Sequence, residues 1–118
     1  MPTNDVITIL TDAKDHLDGF GLCQGAYALD SNNDPVAGKA GALGAGLNGI
    51  DMLGAIHRAA YEGDLLAYEE EAKSAIATYL GYAQREDTSG TILRDWNDVS
   101  GRDTAAVIGL IDTVLASL

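Results

Sequence analysis

At 118 residues the chain has room for one hydrophobic core, since domains commonly run to about 100–150 residues, and it is read as a single helical domain over 1–118. Eighteen carboxylates against seven lysines and arginines leave a net charge of −11, which repels a phosphate backbone and disfavours direct nucleic-acid binding; Lys14, Lys39, Arg58, Lys73, Arg85, Arg94 and Arg102 are scattered along the sequence. No apolar run approaches the ~18 residues of a membrane span, MPTNDVITIL lacks the basic start and apolar core of a secretory signal, and Cys23 is the sole cysteine, so the expectation is a cytoplasmic protein without membrane contact or intrachain disulfide.

Val6, Ile9, Leu10, Ala13 and Leu17 recur at three- and four-residue steps and predict a helix from about Asn4 to Asp18. Thr3 or Asn4 is expected to cap it, and Gly19 to stop it in a left-handed conformation. Leu22 to Asp30 fits either a helical turn or a strand, and Ser31 to Pro35 is turn chemistry. A small hairpin closing near Val36 is one option there; irregular structure is favoured over it. The five glycines of GKAGALGAGLNG, residues 38 to 49, raise the entropic cost of a regular helix, so this stretch is expected to be a loop with helix only toward its end.

Met52, Leu53, Ile56, Ala59 and Ala60 restore a helical stripe that ends near Gly63. Asp64 is expected to cap a third helix whose inner face is Leu65, Tyr68, Ala72, Ala75, Ile76, Tyr79 and Leu80, with Glu69 and Lys73 paired at four-residue spacing. A polar break at REDTSG precedes a short helix over Thr91 to Trp96 and the connector NDVSGRD. Ser100 and Asp103 have the spacing of a capping box, and Val107, Ile108, Ile111, Val114, Leu115 and Leu118 mark the buried stripe of the last helix. The sum is an all-α fold, a compact bundle of four to five packed helices with a long irregular region at about 20–50. A loop that long in a compact domain is often functional or wrongly assigned.

Chemical motifs are weak. GAGLNG, residues 44–49, fits the glycine spacing of a dinucleotide loop, but no β-branched strand precedes it, and Lys39 lacks the glycine five positions before Gly38 that a phosphate loop requires. Asp30, Asn32 and Asp34 open like a calcium loop, yet Pro35 replaces the turn glycine and Gly41 the closing glutamate, so an Asx turn is preferred. His16, His57 and Cys23 share no familiar metal-ligand spacing, and both histidines sit at the edges of apolar stripes. No metal and no cofactor is expected. Cys23, His57 and Asp98 are residue types that together activate a thiolate, but a lone cysteine in an apolar segment is more often a small buried hydrophobe.

WNDVSGR, residues 96 to 102, is the most distinctive segment, with the sole Trp, two Asx residues and an Arg between helices. Such groups either bind something or fasten the connector, and fastening is modestly favoured. CQGAYALD at 23–30, DPV at 34–36, LGAIHRAA at 53–60 and WNDVSGRDTAAVIGLID at 96–112 together resemble an uncharacterised small-domain family of actinobacteria and their phages. That resemblance implies a shared fold and origin and supplies no mechanism; Asn32 and Asn33 depart from the family's glycine turn, and the glycine-rich stretch before Asp51 also departs.

The leading expectation is a non-enzymatic accessory or regulatory protein, phage- or prophage-encoded, that binds another protein. A second is a small-molecule site, binding or hydrolytic, between segments 23–30 and 96–102, formed by Cys23, Gln24, His57, Trp96, Asn97, Asp98 and Arg102. A third is a component of a virion or homo-oligomer, with Tyr27, Tyr61 and Tyr82 as contact residues.

Overall fold

A computed structural model describes residues 2–81 and 89–118. Helix α1 spans Pro2–Phe20, α2 Met52–Glu62, α3 Glu69–Tyr79, α4 Ser89–Asn97 and α5 Thr104–Ser117, and these five helices of the described residues make a mostly α-helical bundle. The apolar stripe of α1 is fully buried at Ile9, Leu10, Ala13 and Leu17 and packs against α2, α3 and α5. Ile56 from α2, Ile76 from α3, Leu93 from α4 and Val107, Ile111 and Val114 from α5 complete the core. No helix among the described residues is long and apolar enough to cross a membrane.

Helix ends depart from expectation where the cap depends on backbone conformation. The first helix already begins at Pro2, ahead of both Thr3 and Asn4. It runs through Gly19 and stops at Gly21, whose φ of +82° is the left-handed turn and whose N–H returns to the Leu17 carbonyl. Asp64 itself has a left-handed φ of 57° and does not cap α3; a 3-10 turn, Leu66–Tyr68, intervenes before that helix. Asp103, not Ser100, caps α5, its Oδ1 accepting from Ala106 N at 2.9 Å. In the last stripe Leu110 is buried and Leu118 is exposed, and Tyr79 likewise turns to solvent. Tyr82 and the polar residues 85–88 lie outside the described residues.

The 20–50 region is held by short pieces rather than a helix or a full hairpin. Strand β1, Ala28–Leu29, pairs antiparallel with β2, Gly49–Ile50, and a single bridge from Leu29 to Pro35 closes a minimal hairpin, with Val36 N donating to the Ala28 carbonyl. Asp30 Oδ1 accepts from the backbone N–H groups of Asn32 and Asp34, giving an Asx turn. The glycine-rich stretch is a 3-10 helix at its start, Lys39–Leu43, not at its end, and Val36 packs so tightly over Gly41 that a Cβ there would collide with it. Arg58 fastens the same stretch to α2 by donating from Nη1 to the carbonyls of Ala42 and Gly44.

The close approach of β1 to α2 depends on Gly54. Replacing a helical glycine by alanine ordinarily gains about 1 kcal/mol. Here the added Cβ would collide with the Tyr27 carbonyl oxygen, a backbone atom already bonded to Asp51 N. Overpacking against backbone costs roughly 1–3 kcal/mol, so the collision outweighs the propensity gain. Gly54→Ala is expected to lower the melting temperature by about 5–10 °C in a thermal melt; an unchanged or raised value would show that Tyr27 can move aside freely.

Candidate ligand-binding cleft

The segments 23–30 and 96–102 meet through direct hydrogen bonds. Gln24 Nε2 donates to the carbonyls of Asn97 at 2.9 Å and Val99 at 2.8 Å, and Gly25 N donates to Asp98 Oδ1 at 3.0 Å. Asn97, the last residue of α4 and fully buried, accepts from Met52 N through Oδ1 and donates from Nδ2 to the Cys23 carbonyl and to Asp98 Oδ1. Arg102 lies over the Trp96 ring at 3.6 Å and donates from Nε to the Trp96 carbonyl. These groups therefore join α4, α2 and the 23–25 segment, with Leu22 N reaching Thr104 Oγ1 to tie in α5.

Cys23 is buried, and its thiol donates to the Ala26 carbonyl at 3.4 Å. Burial, with the nearby carboxylates of Asp51 and Asp98, pushes the thiol up to about 12, the opposite of an activated nucleophile. His57 is engaged elsewhere. It is buried within α2, and its Nδ1 lies 2.7 Å from Glu69 Oε1; a carboxylate only accepts, so Nδ1 carries the proton. His16, the other histidine, pairs with Glu62 at 2.9 Å and stacks on Phe20.

Glu69 is the first residue of α3 and nearly inaccessible, and its second oxygen accepts from Lys39 Nζ at 3.0 Å. Burial works against its charge, but hydrogen bonds from His57 and Lys39 overcome that and hold the carboxyl below its ordinary value. The expected Glu69–Lys73 pair is thus replaced: Glu69 turns inward to His57 and Lys39, and Lys73 pairs with Glu70 one turn away. In front of this network opens a cavity of about 310 Å³, lined by Tyr27, Lys39, Leu53, Glu69, Glu70, Lys73, Gly90, Thr91 and Arg94. Gly90 and Thr91 belong to the first turn of α4, where the helix dipole favours negative charge. Arg94 is half exposed, and among the described residues the carboxylate within ion-pair reach of it is Asp95, 3.9 Å away, at the limit of such a pair.

A second cavity of about 240 Å³ adjoins the first, sharing Tyr27 and Arg94, and is lined further by Gly25, Ala26, Pro35, Val36, Ala37 and Asp51. Asp51 caps α2, its Oδ1 accepting from Gly54 N at 2.6 Å, and is 2% exposed. Burial raises its carboxyl to about 7; the Gly54 hydrogen bond and Arg94 pull it down, and Asp98 adds to the rise.

Of the residues singled out in the sequence, Cys23, Gln24, Trp96, Asn97, Asp98 and Arg102 are thus brought to one junction, while His57 backs the cleft through Glu69. The cleft's own Lys39, Asp51, Lys73 and Arg94 were not among them. One signal was readable: Glu69 falls on the stripe of Leu65, Ala72 and Ile76, so its side chain must enter the core side of the helix. Over residues 1–117 the chain matches the model of a family described as "Family of unknown function (DUF6197)". No curated protein and no solved structure matches it.

Proposed function

We propose, since the chain belongs to this family of unknown function and the family brings no activity with it, that the protein acts by binding, holding an anionic group of a small ligand in the cleft between the Lys39–Leu43 segment, α3 and α4. The observation that carries the reading is a cavity lined by Lys39, Lys73 and Arg94 against the carboxylates of Glu69 and Glu70, three positive groups to two negative, in a chain of net charge −11. The general field of such a protein repels anions, so a local site needs cations gathered against it. Lys39 and Lys73 are neutralised by Glu69 and Glu70, which leaves the guanidinium of Arg94 as the group best placed to pair with a ligand.

A cavity of about 310 Å³ is at the lower end of small-molecule pockets, which run from roughly 300 to 1,000 Å³. That concavity favours a small ligand over a protein partner, whose contacts would spread over a flatter surface. A thiol raised to about 12 favours binding over nucleophilic turnover. An accessory or regulatory role in an actinobacterium or its phage is part of the same proposal.

The test is an amide-resolved NMR titration with sodium glutarate, compared with sodium chloride at equal ionic strength. Saturable shifts at Tyr27, Lys39, Lys73, Thr91 and Arg94, abolished in Arg94→Gln, are expected. Shifts that do not saturate, or that chloride reproduces, would overturn the reading.

A further inference from the structure

Asp51 does more than its place as a helix cap requires. Capping needs one side-chain oxygen, and Asn, Ser or Thr supplies it as well as Asp does without burying a charge. The cap uses Oδ1 alone, and among the described residues no further hydrogen bond engages the carboxyl group. Once ionised, a carboxyl group 2% exposed, set beside Asp98 and lining a cavity, costs stability unless a positive group pairs with it. Arg94 lies on the wall of that same cavity, so one small concavity carries an acidic and a basic group, and Tyr27 and Arg94 continue its wall into the larger one.

We propose that the two cavities form one site for a small zwitterion of the amino-acid class, its ammonium group paired with Asp51, its carboxylate with Arg94, and its side chain directed into the larger cavity. This rests on the anion-binding reading above and extends it by the second charge. An α-amino acid presents both charges on one carbon, which suits a buried carboxylate and a guanidinium on one small cavity. A polar side chain then lies beside the Lys39–Glu69 and Lys73–Glu70 pairs and the first turn of α4, while the apolar part of the ligand lies against Tyr27 and Leu53. Among the described residues, the charged and titratable groups acting on Asp51 are Arg94 and Asp98 on the α4 side and the Cys23 thiol on the 23–25 side. An arriving ammonium group shifts that balance toward the ionised carboxylate and releases a proton.

Calorimetric titration of the full chain with L-glutamate and with glutarate, which differs by lacking the amine, tests the proposal. Glutamate is expected to bind at least 10-fold more tightly, and at pH 6.5 its heat should vary with the ionisation enthalpy of the buffer because a proton is released. Asp51→Asn, which keeps the cap acceptor, should erase both the 10-fold difference and the proton release while leaving glutarate binding intact; Arg94→Gln should weaken both ligands. Equal affinity for the two ligands, or an Asp51→Asn protein that still prefers glutamate, would overturn the zwitterion assignment and leave the anion site standing. Binding of neither would overturn both.

Discussion

Asn97→Ala is expected to destabilise the protein by about 4 kcal/mol, a larger loss than most single substitutions cause. The side chain is fully buried at the point where α4 ends, and its amide serves two backbone groups: it accepts from Met52 N and donates to the Cys23 carbonyl. Met52 opens α2, so its N–H is one of the donors that the helix itself leaves unbonded. Each buried polar group left without a partner costs roughly 1–3 kcal/mol, and alanine orphans two. Urea unfolding followed by circular dichroism should show a lowered midpoint with an unchanged slope, and hydrogen exchange should show lost protection at Met52. Asn97→Asp restores the acceptor for Met52 but removes the donor to Cys23 and sets a second carboxylate against Asp98, so it should not recover the loss. A loss below 1 kcal/mol for alanine would mean that water replaces the amide.

That junction also shows where the sequence was legible. The stripes of α1, α2 and α5 follow from local spacing, because a helix buries residues three and four apart whatever it packs on. The identity of WNDVSGR as a fastening segment was likewise readable, since polar groups between helices must satisfy their own and neighbouring backbone. What they fasten to was not. Gln24 reaches Asn97 and Val99, Leu22 reaches Thr104, and β1 finds its partner in Gly49–Ile50, on the far side of a glycine-rich stretch. Pairings of that kind depend on the global packing, and no local period announces them.

The cleft was hidden for the same reason. Lys39, Lys73 and Arg94 look scattered along the chain, and only the packing of α3 on α4, with the Lys39–Leu43 segment held against α2, brings them to one cavity. Asp51 stands before a helix and reads as a cap, but the backbone that packs on it, the Tyr27 carbonyl bonded to Asp51 N and set close to Gly54, comes from a segment remote in sequence. Polar residues in a small domain were therefore visible as unusual while their shared location was not.

Asp51→Asn is expected to stabilise the unliganded protein by as much as ~4 kcal/mol at pH 8, from a shift of about three pH units at 1.36 kcal/mol each. The ordinary value of the carboxyl, 3.8, applies to the unfolded chain, and burial raises it to about 7 in the fold. Between those values the folded protein binds more protons than the unfolded chain, so the wild-type contribution is fully present below about pH 4 and is lost as pH rises through about 7. Asparagine retains an oxygen for Gly54 N and has no charge to desolvate, so the advantage of the variant should grow from near zero at pH 4 to its full value at pH 8. Paired urea melts at the two pH values measure it; a variant less stable at pH 8 would show that the ionised carboxylate is already compensated within the fold. A gain in stability accompanied by loss of glutamate binding is the signature of a residue retained for its ligand, because a helix cap alone would select the neutral side chain. The same substitution thus separates the two roles of one carboxyl group: the cap survives it, and the charge does not.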